Sequence, residues 1–287
     1  MAPAVLSLYT VSFALALLAT LLVALSLRLL AILPSRRTHA PHQRPRTAAA
    51  RLVVVLGSGG HTHEMLALLR SLDARKYARR TWVVSSGDGF SARRAEGFER
   101  ALEERWRRAG GEHGEQQRER ERERERGRKR APSLTSAAEQ RALDAAARDT
   151  AAAACVGPAS YSLTTIPRAR RVHQPLLTTP LSALRCLAAT FTPLLSPSPP
   201  ALILTNGPGT GVLVVLAAFL LRFFDVRGVE SHGLCRCVYV ESFARVRSLS
   251  LSGRLLLRLG VVDRFVVQWE ALEGYGGRAE YAGVLVC

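Results

Sequence analysis

Residues 5–27 carry no charged side chain, and Leu, Ala and Val dominate the run. A helix of about 20 apolar residues crosses a bilayer, so the run is long enough to span. A cleaved signal peptide fits less well, because residues 1–9 hold no Lys or Arg to form a basic leader. The expectation is an uncleaved transmembrane anchor over residues 1–33. Residues 34–50 are rich in Pro, Arg and Ala, show no period, and read as a linker.

From residue 51 the pattern shortens. RLVVVL at 51–56 is a β-branched run that ends in GSGGHT, which reads as a buried parallel strand entering a turn. Met65, Leu66, Leu68, Leu69 and Leu72 follow at helical spacing, and TWVVS at 81–85 reads as a second strand. Residues 91–155 break the rhythm. Their middle, 118–130, alternates Arg and Glu without an apolar stripe, and their tail is Ala-rich, so the stretch is expected to be an exposed low-complexity insertion. YSLTTIPRARR at 161–171 then leads toward a helix near 181–189. ALILT (201–205), CVYVE (237–241) and DRFVVQ (263–268) read as strands. Between them lie an apolar helix at 212–224 and a leucine-rich helix at 248–259 carrying Arg254 and Arg258. This alternation predicts the α/β class: one Rossmann-like parallel sheet over residues 51–287, with helices on both faces. Ligands of such sheets bind beyond the carboxyl ends of the strands.

The chain has 287 residues, room for an anchor and one sizeable domain. Its net charge is +17 and its pI about 11.0. With an anchor present, that excess suits an anionic membrane face or a phosphate-bearing ligand. No aromatic RNA-binding pattern or zinc-finger spacing supports nucleic acid. Arg28, Arg36, Arg37, Arg44, Arg46 and Arg51 follow the apolar run, and nothing basic but the α-amino group precedes it. The positive-inside bias then puts the N-terminus in the lumen and the domain in the cytosol. Cys155, Cys186, Cys235, Cys237 and Cys287 show neither a disulfide framework nor a metal-ligand spacing, so reduced thiols and no metal are expected. Cys235 and Cys237, two apart, are expected on one strand face.

Gly57, Ser58, Gly59, Gly60, His61 and Thr62 form a strand-to-helix junction where backbone N–H groups and a helix N-terminus can hold an anion. The same glycines also fit a plain tight turn. Neither GxxxxGK[ST] nor a third fingerprint glycine is present, since Thr62 occupies that place, so phosphate or diphosphate binding is the modest reading. His61 can serve as a general base or can brace the loop; His63 is expected to be exposed, and Glu64 to cap the helix, with a base-orienting role as its second reading. Asp88 imitates a ribose-binding acid by position. A second glycine-rich loop, Asn206, Gly207, Pro208, Gly209, Thr210 and Gly211, follows a later strand. Arg168 and Arg170 suit a diphosphate or a membrane surface, and Glu241–Ser242 ends another strand on the same edge. No DxD occurs, and no cofactor is expected.

VVVLGSGGHTHEM, IPRARRVHQ, LTNGPGTG, VYVESFARVRSLSLSGRLL and DRFVVQW together resemble the membrane-anchoring subunit of the eukaryotic two-subunit UDP-N-acetylglucosamine transferase. The resemblance covers the anchor and nearly all of the chain from residue 51, apart from the insertion. It implies the acceptor-side, N-terminal half of a GT-B glycosyltransferase, similar to the bacterial lipid-linked GlcNAc transferase. It further implies a place at the cytosolic face of the endoplasmic reticulum membrane and dolichyl-diphosphate-GlcNAc as acceptor. A soluble donor-binding catalytic subunit is implied as partner, docking through residues 269–287, as is contact with the transferase of the preceding step. Within it, Gly57, Gly59, Gly60 and His61 match the loop placed near the acceptor diphosphate and sugar, while Arg171 stands where that family has Glu. Two rival readings remain: a membrane scaffold without catalytic residues, and an autonomous Rossmann-type oxidoreductase.

Overall fold

A computed structural model describes residues 8–34, 50–128, 155–170, 174–207 and 209–285. The linker at 35–49, Arg171, Pro208 and Cys287 therefore lie outside the described residues. The first element, α1 (Leu8–Ile32), is one unbroken helix. By length and composition it is a candidate membrane span, and 6% of its most apolar window is buried.

The rest is built on a sheet of seven parallel strands: β1 (Arg51–Val55), β2 (Arg79–Ser85), β3 (Tyr161–Ile166), β4 (Leu202–Thr205), β5 (Arg236–Val240), β6 (Arg264–Val267) and β7 (Ala279–Tyr281). Their order across the sheet is β3-β2-β1-β4-β5-β6-β7. Thus β1 lies centrally, with Val55 beside Val83 on one flank and Thr205 on the other. Every residue of β1 is buried, as a strand covered on both faces requires. The buried Arg51 at its start is satisfied by the Thr81 hydroxyl at 2.9 Å and by the carbonyls of Pro193, at 2.8 Å, and Ser198.

Five helices cover the sheet. Helices α2 (Gly60–Leu68) and α3 (Gly89–Arg128) close one face over Leu52, Val54, Met65, Trp82 and Val84. Helices α4 (Thr179–Leu195), α5 (Gly209–Phe223) and α6 (Leu251–Leu259) close the other over Val53, Ile203, Tyr239 and Phe265. Caps set the limits of α6: the Ser250 hydroxyl accepts from the Gly253 N–H at 2.9 Å, and Gly260 ends the helix in the left-handed region.

Three expectations change. The stretch from residue 91 is not insertion throughout, because Ser91, Ala95, Glu99 and Leu102 of α3 are buried. Glu99 is the reason charge patterning misleads there. It takes two hydrogen bonds of 2.8 Å from the Arg80 guanidinium and one of 2.8 Å from the Trp82 indole, so a charged residue is the centre of the packing. Two strands are added to the five expected: β3 at 161–166, paired with β2, and β7 in the C-terminal tail, paired with β6. Cys235 precedes β5 with φ 52°, outside the extended region, so it does not share a strand face with Cys237.

Candidate functional site

Strand order reverses between β1 and β4, and at such a switch point the loops after the two strands part and leave a crevice. Both glycine-rich loops fall there. They meet backbone to backbone: a Cβ on Gly57 would stand 2.7 Å from the His61 Cβ and 3.3 Å from the Gly207 Cα. Glycine at 57 is thus what lets the loops close on each other. Gly59 takes φ 63° to turn the chain into α2, and no side chain caps that helix.

A cavity of about 240 Å³ opens between the loops, lined by Gly57, Ser58, Ser85, Arg168, Arg170, Gly207, Gly209 and Thr210 among others. Among the described residues that line it are two arginines and no acidic residue. Arg168 is steadied by donating to the Ser86 carbonyl at 2.9 Å, and Arg170 by donating to the Gln174 carbonyl at 3.0 Å. Glycine backbone, hydroxyls and arginines are groups that can hold an anion.

Beside it stands a polar cluster. The Asn206 amide donates to the His61 carbonyl at 2.8 Å and to Glu64 at 3.4 Å, and the Ser242 hydroxyl donates to Glu64 at 2.9 Å. The His61 ring is one-third exposed, with Nδ1 3.9 Å from Glu64. Nδ1 of His61 and Oδ1 of Asn206 are both buried without a hydrogen-bond partner. Buried polar atoms are normally paired, so two orphans on residues joined through the His61 carbonyl leave room for further hydrogen bonds at this cluster.

The anticipated residues divide accordingly. Gly57, Ser58, Gly207, Gly209, Thr210, Arg168 and Arg170 meet at the cavity, while His61 and Asn206 sit beside it. Thr62 does not face the ligand space: fully buried, it bonds the Gly57 carbonyl and lies 2.7 Å from the Ser91 hydroxyl. Glu241 is also turned away from the cavity, accepting from the Ser250 N–H and hydroxyl at 3.0 Å each and so fixing the start of α6. Asp88 caps α3 through the Ser91 N–H at 3.1 Å rather than waiting for a ribose. Glu64 makes no side-chain cap on α2; it belongs to the polar cluster, and its place three residues after His61 on one helix was the signal for it. Ser85, 3.2 Å from the Thr210 hydroxyl, is a lining residue with no sequence signal. Among the described residues no group of three or more His, Cys, Asp or Glu could hold a metal ion.

Comparison with known proteins places the chain in a family. Residues 52–123 and 109–285 match the family described as "Oligosaccharide biosynthesis protein Alg14 like". A Cryptococcus neoformans protein named UDP-N-acetylglucosamine transferase subunit ALG14 is 36% identical over 257 residues, 87% of this chain and 86% of that one. Namesakes from Yarrowia lipolytica and Homo sapiens are 33% and 32% identical, covering 93% and 82% of this chain and 95% and 82% of theirs. No solved structure gives a significant match. Matched along almost the whole α/β domain and across fungal and human relatives, the chain belongs to the Alg14-like family of oligosaccharide biosynthesis proteins.

Proposed function

We propose that this chain is the membrane-anchoring, acceptor-side subunit of a UDP-N-acetylglucosamine transferase, which adds the second GlcNAc to dolichyl-diphosphate-GlcNAc at the endoplasmic reticulum membrane. The observation that carries it is the carboxylate-free cavity at the switch point, held between two glycine loops and two arginines. Such a cavity suits the diphosphate of a lipid-linked sugar. The relatives' printed name, a transferase subunit, supports a second chain. The architecture supports it too, because a GT-B enzyme needs two facing α/β domains and the described residues form one sheet.

In this reading Arg168, Arg170 and the N–H groups around Gly57, Gly59 and Gly60 hold the acceptor diphosphate. Asn206 and Thr210 border the sugar. His61 takes the proton from O4 of the acceptor GlcNAc as that oxygen attacks C1 of the donor and UDP leaves, inverting the anomeric centre. The partner subunit binds the donor and docks at residues 269–287. The domain faces the cytosol and the N-terminus the lumen.

The test is GlcNAc transfer to a short-chain polyprenyl-diphosphate-GlcNAc acceptor, run with this chain alone, its soluble partner alone, and both together. Activity only in the mixture supports the composite enzyme. No transfer in any combination would sink it, and full activity of the partner alone would reduce this chain to a scaffold.

A further inference from the structure

The two helix layers of the domain differ in what they turn outward. On one side α3 exposes Arg93, Arg94, Glu96, Arg100, Glu104 and Arg108, a water-facing surface of mixed sign. On the other side leucines stand exposed: Leu181 and Leu184 of α4, Leu220 of α5, and Leu251, Leu255 and Leu259 at four-residue spacing on α6. Leu184 is 63% exposed and Leu251 83%. Residues 212–221 of α5 contain no polar side chain at all. A helix between a sheet and water normally shows a polar outer stripe, and a helix that is apolar all round is covered by something.

Charge on this layer has one sign. Residues 171–224 and 248–262 contain no Asp or Glu, while Arg185, Arg254 and Arg258 stand exposed among the leucines. The membrane helix docks on the same layer. Arg28 of α1 donates to the carbonyls of Phe223 at 3.0 Å and Arg222 at 3.2 Å, at the end of α5, and Ile32 is buried there. Both α4 and α6 pack against α5, so anchor and apolar layer are continuous.

We propose that the α4–α5–α6 layer lies on the bilayer that α1 crosses, with its leucines in the interfacial zone and Arg185, Arg254 and Arg258 on anionic lipid headgroups. Interfacial binding needs this combination of apolar area with a basic rim, and long arginine side chains reach the headgroups from positions flanking it. The domain is then held to the membrane by a face as well as by a tether. Leu181 and Arg185 also line a second cavity of about 470 Å³ that shares Arg168 with the anion cavity. A lipid headgroup can therefore pass from bilayer to cavity along one surface. That last consequence rests on the acceptor reading; the membrane contact itself does not.

The test uses the full chain in nanodiscs of phosphatidylcholine and phosphatidylserine, in a Cys155→Ser, Cys287→Ser background. Nitroxides are placed one at a time through Leu184→Cys, Leu220→Cys and Leu255→Cys, with Arg100→Cys on α3 as the reference. Spin-label collisions are measured with oxygen, which concentrates in lipid, and with a water-soluble nickel chelate. The expected result is a severalfold excess of oxygen over nickel collisions at the three leucine positions and the reverse at position 100. Nickel access at the leucine positions equal to that at position 100 would overturn the proposal. Shielding from both reagents would overturn it as well, in favour of a protein covering the layer.

Discussion

At the scale of single residues the site rests on the pair of unpartnered atoms, His61 Nδ1 and Asn206 Oδ1, beside a carboxylate that already serves two neighbours. His61→Ala should lower kcat of the assembled enzyme about 10²- to 10⁴-fold, the usual contribution of a general base, with partner binding unchanged in pull-down. Glu64→Gln should lose less; identical kinetics in both variants and the native chain would make the cluster structural. The chemistry-bearing types were visible in the sequence because glycines, His61 and the arginines sit at strand ends where an α/β sheet binds its ligands. Their orientation was not. Thr62 and Glu241 have suitable chemistry and position, yet one is turned under Gly57 and the other toward the N-terminus of α6 by local hydrogen bonds that composition does not reveal.

Asp225, just after α5, offers a separate test of local electrostatics. Its carboxylate accepts from the Ser231 hydroxyl, from the Ser231 N–H at 3.1 Å and from the Glu230 N–H at 2.8 Å. The Ser231 bonds, with a smaller contribution from Arg28, hold its pKa below the ordinary carboxylate value. A depressed pKa stabilises the folded state above the unfolded pKa of roughly 3.9, and that stabilisation disappears as pH falls through the folded value. The native chain should therefore exceed Asp225→Asn in stability by a constant margin near neutrality, and the margin should close on acidification below about pH 4. Urea midpoints measured across that range check the sign; a margin that widens in acid would contradict it.

At the scale of elements, β2 and α3 are joined by the buried Arg80–Glu99 pair, and Arg80 also reaches the Cys155 carbonyl and the Ser160 hydroxyl beyond the low-complexity stretch. Removing one partner of a buried pair leaves the other charged in a dry interior, so Glu99→Ala should destabilise the domain by about 3–5 kcal/mol. Chemical unfolding of the full chain measures this, and a change below about 1 kcal/mol would show that the pair is not structural. Periodicity located five of the strands, because each is a compact apolar run beside a turn; it passed over β3, whose YSLTTI is half polar and mostly only part-buried at the sheet edge. It could not find β7, three residues with a single buried side chain, whose pairing depends on the β6 edge rather than on its own sequence. Alternating Arg and Glu likewise hid the fact that the first turns of α3 pack on the sheet: Ser91, Ala95, Glu99 and Leu102 give a stripe at helical spacing, but two of the four are polar.

At the scale of the whole molecule, the membrane helix, the α/β sheet and the cavity form one arrangement. The anchor ends on α5, α5 begins at the second glycine loop, and that loop closes on the first. The proposed role needs this continuity: a lipid-borne anion would reach the strand ends, and the facing half of the enzyme would fall to another subunit. Its central claim is that this chain contributes the acceptor side. The direct measurement is the pair of KM values for acceptor and for UDP-GlcNAc in the reconstituted two-subunit enzyme, with and without Arg168→Gln. Loss of one charged hydrogen-bonding group should raise the acceptor KM roughly tenfold to a hundredfold, with the UDP-GlcNAc KM unchanged. A raised UDP-GlcNAc KM with the acceptor KM unmoved would place the donor here and contradict the account.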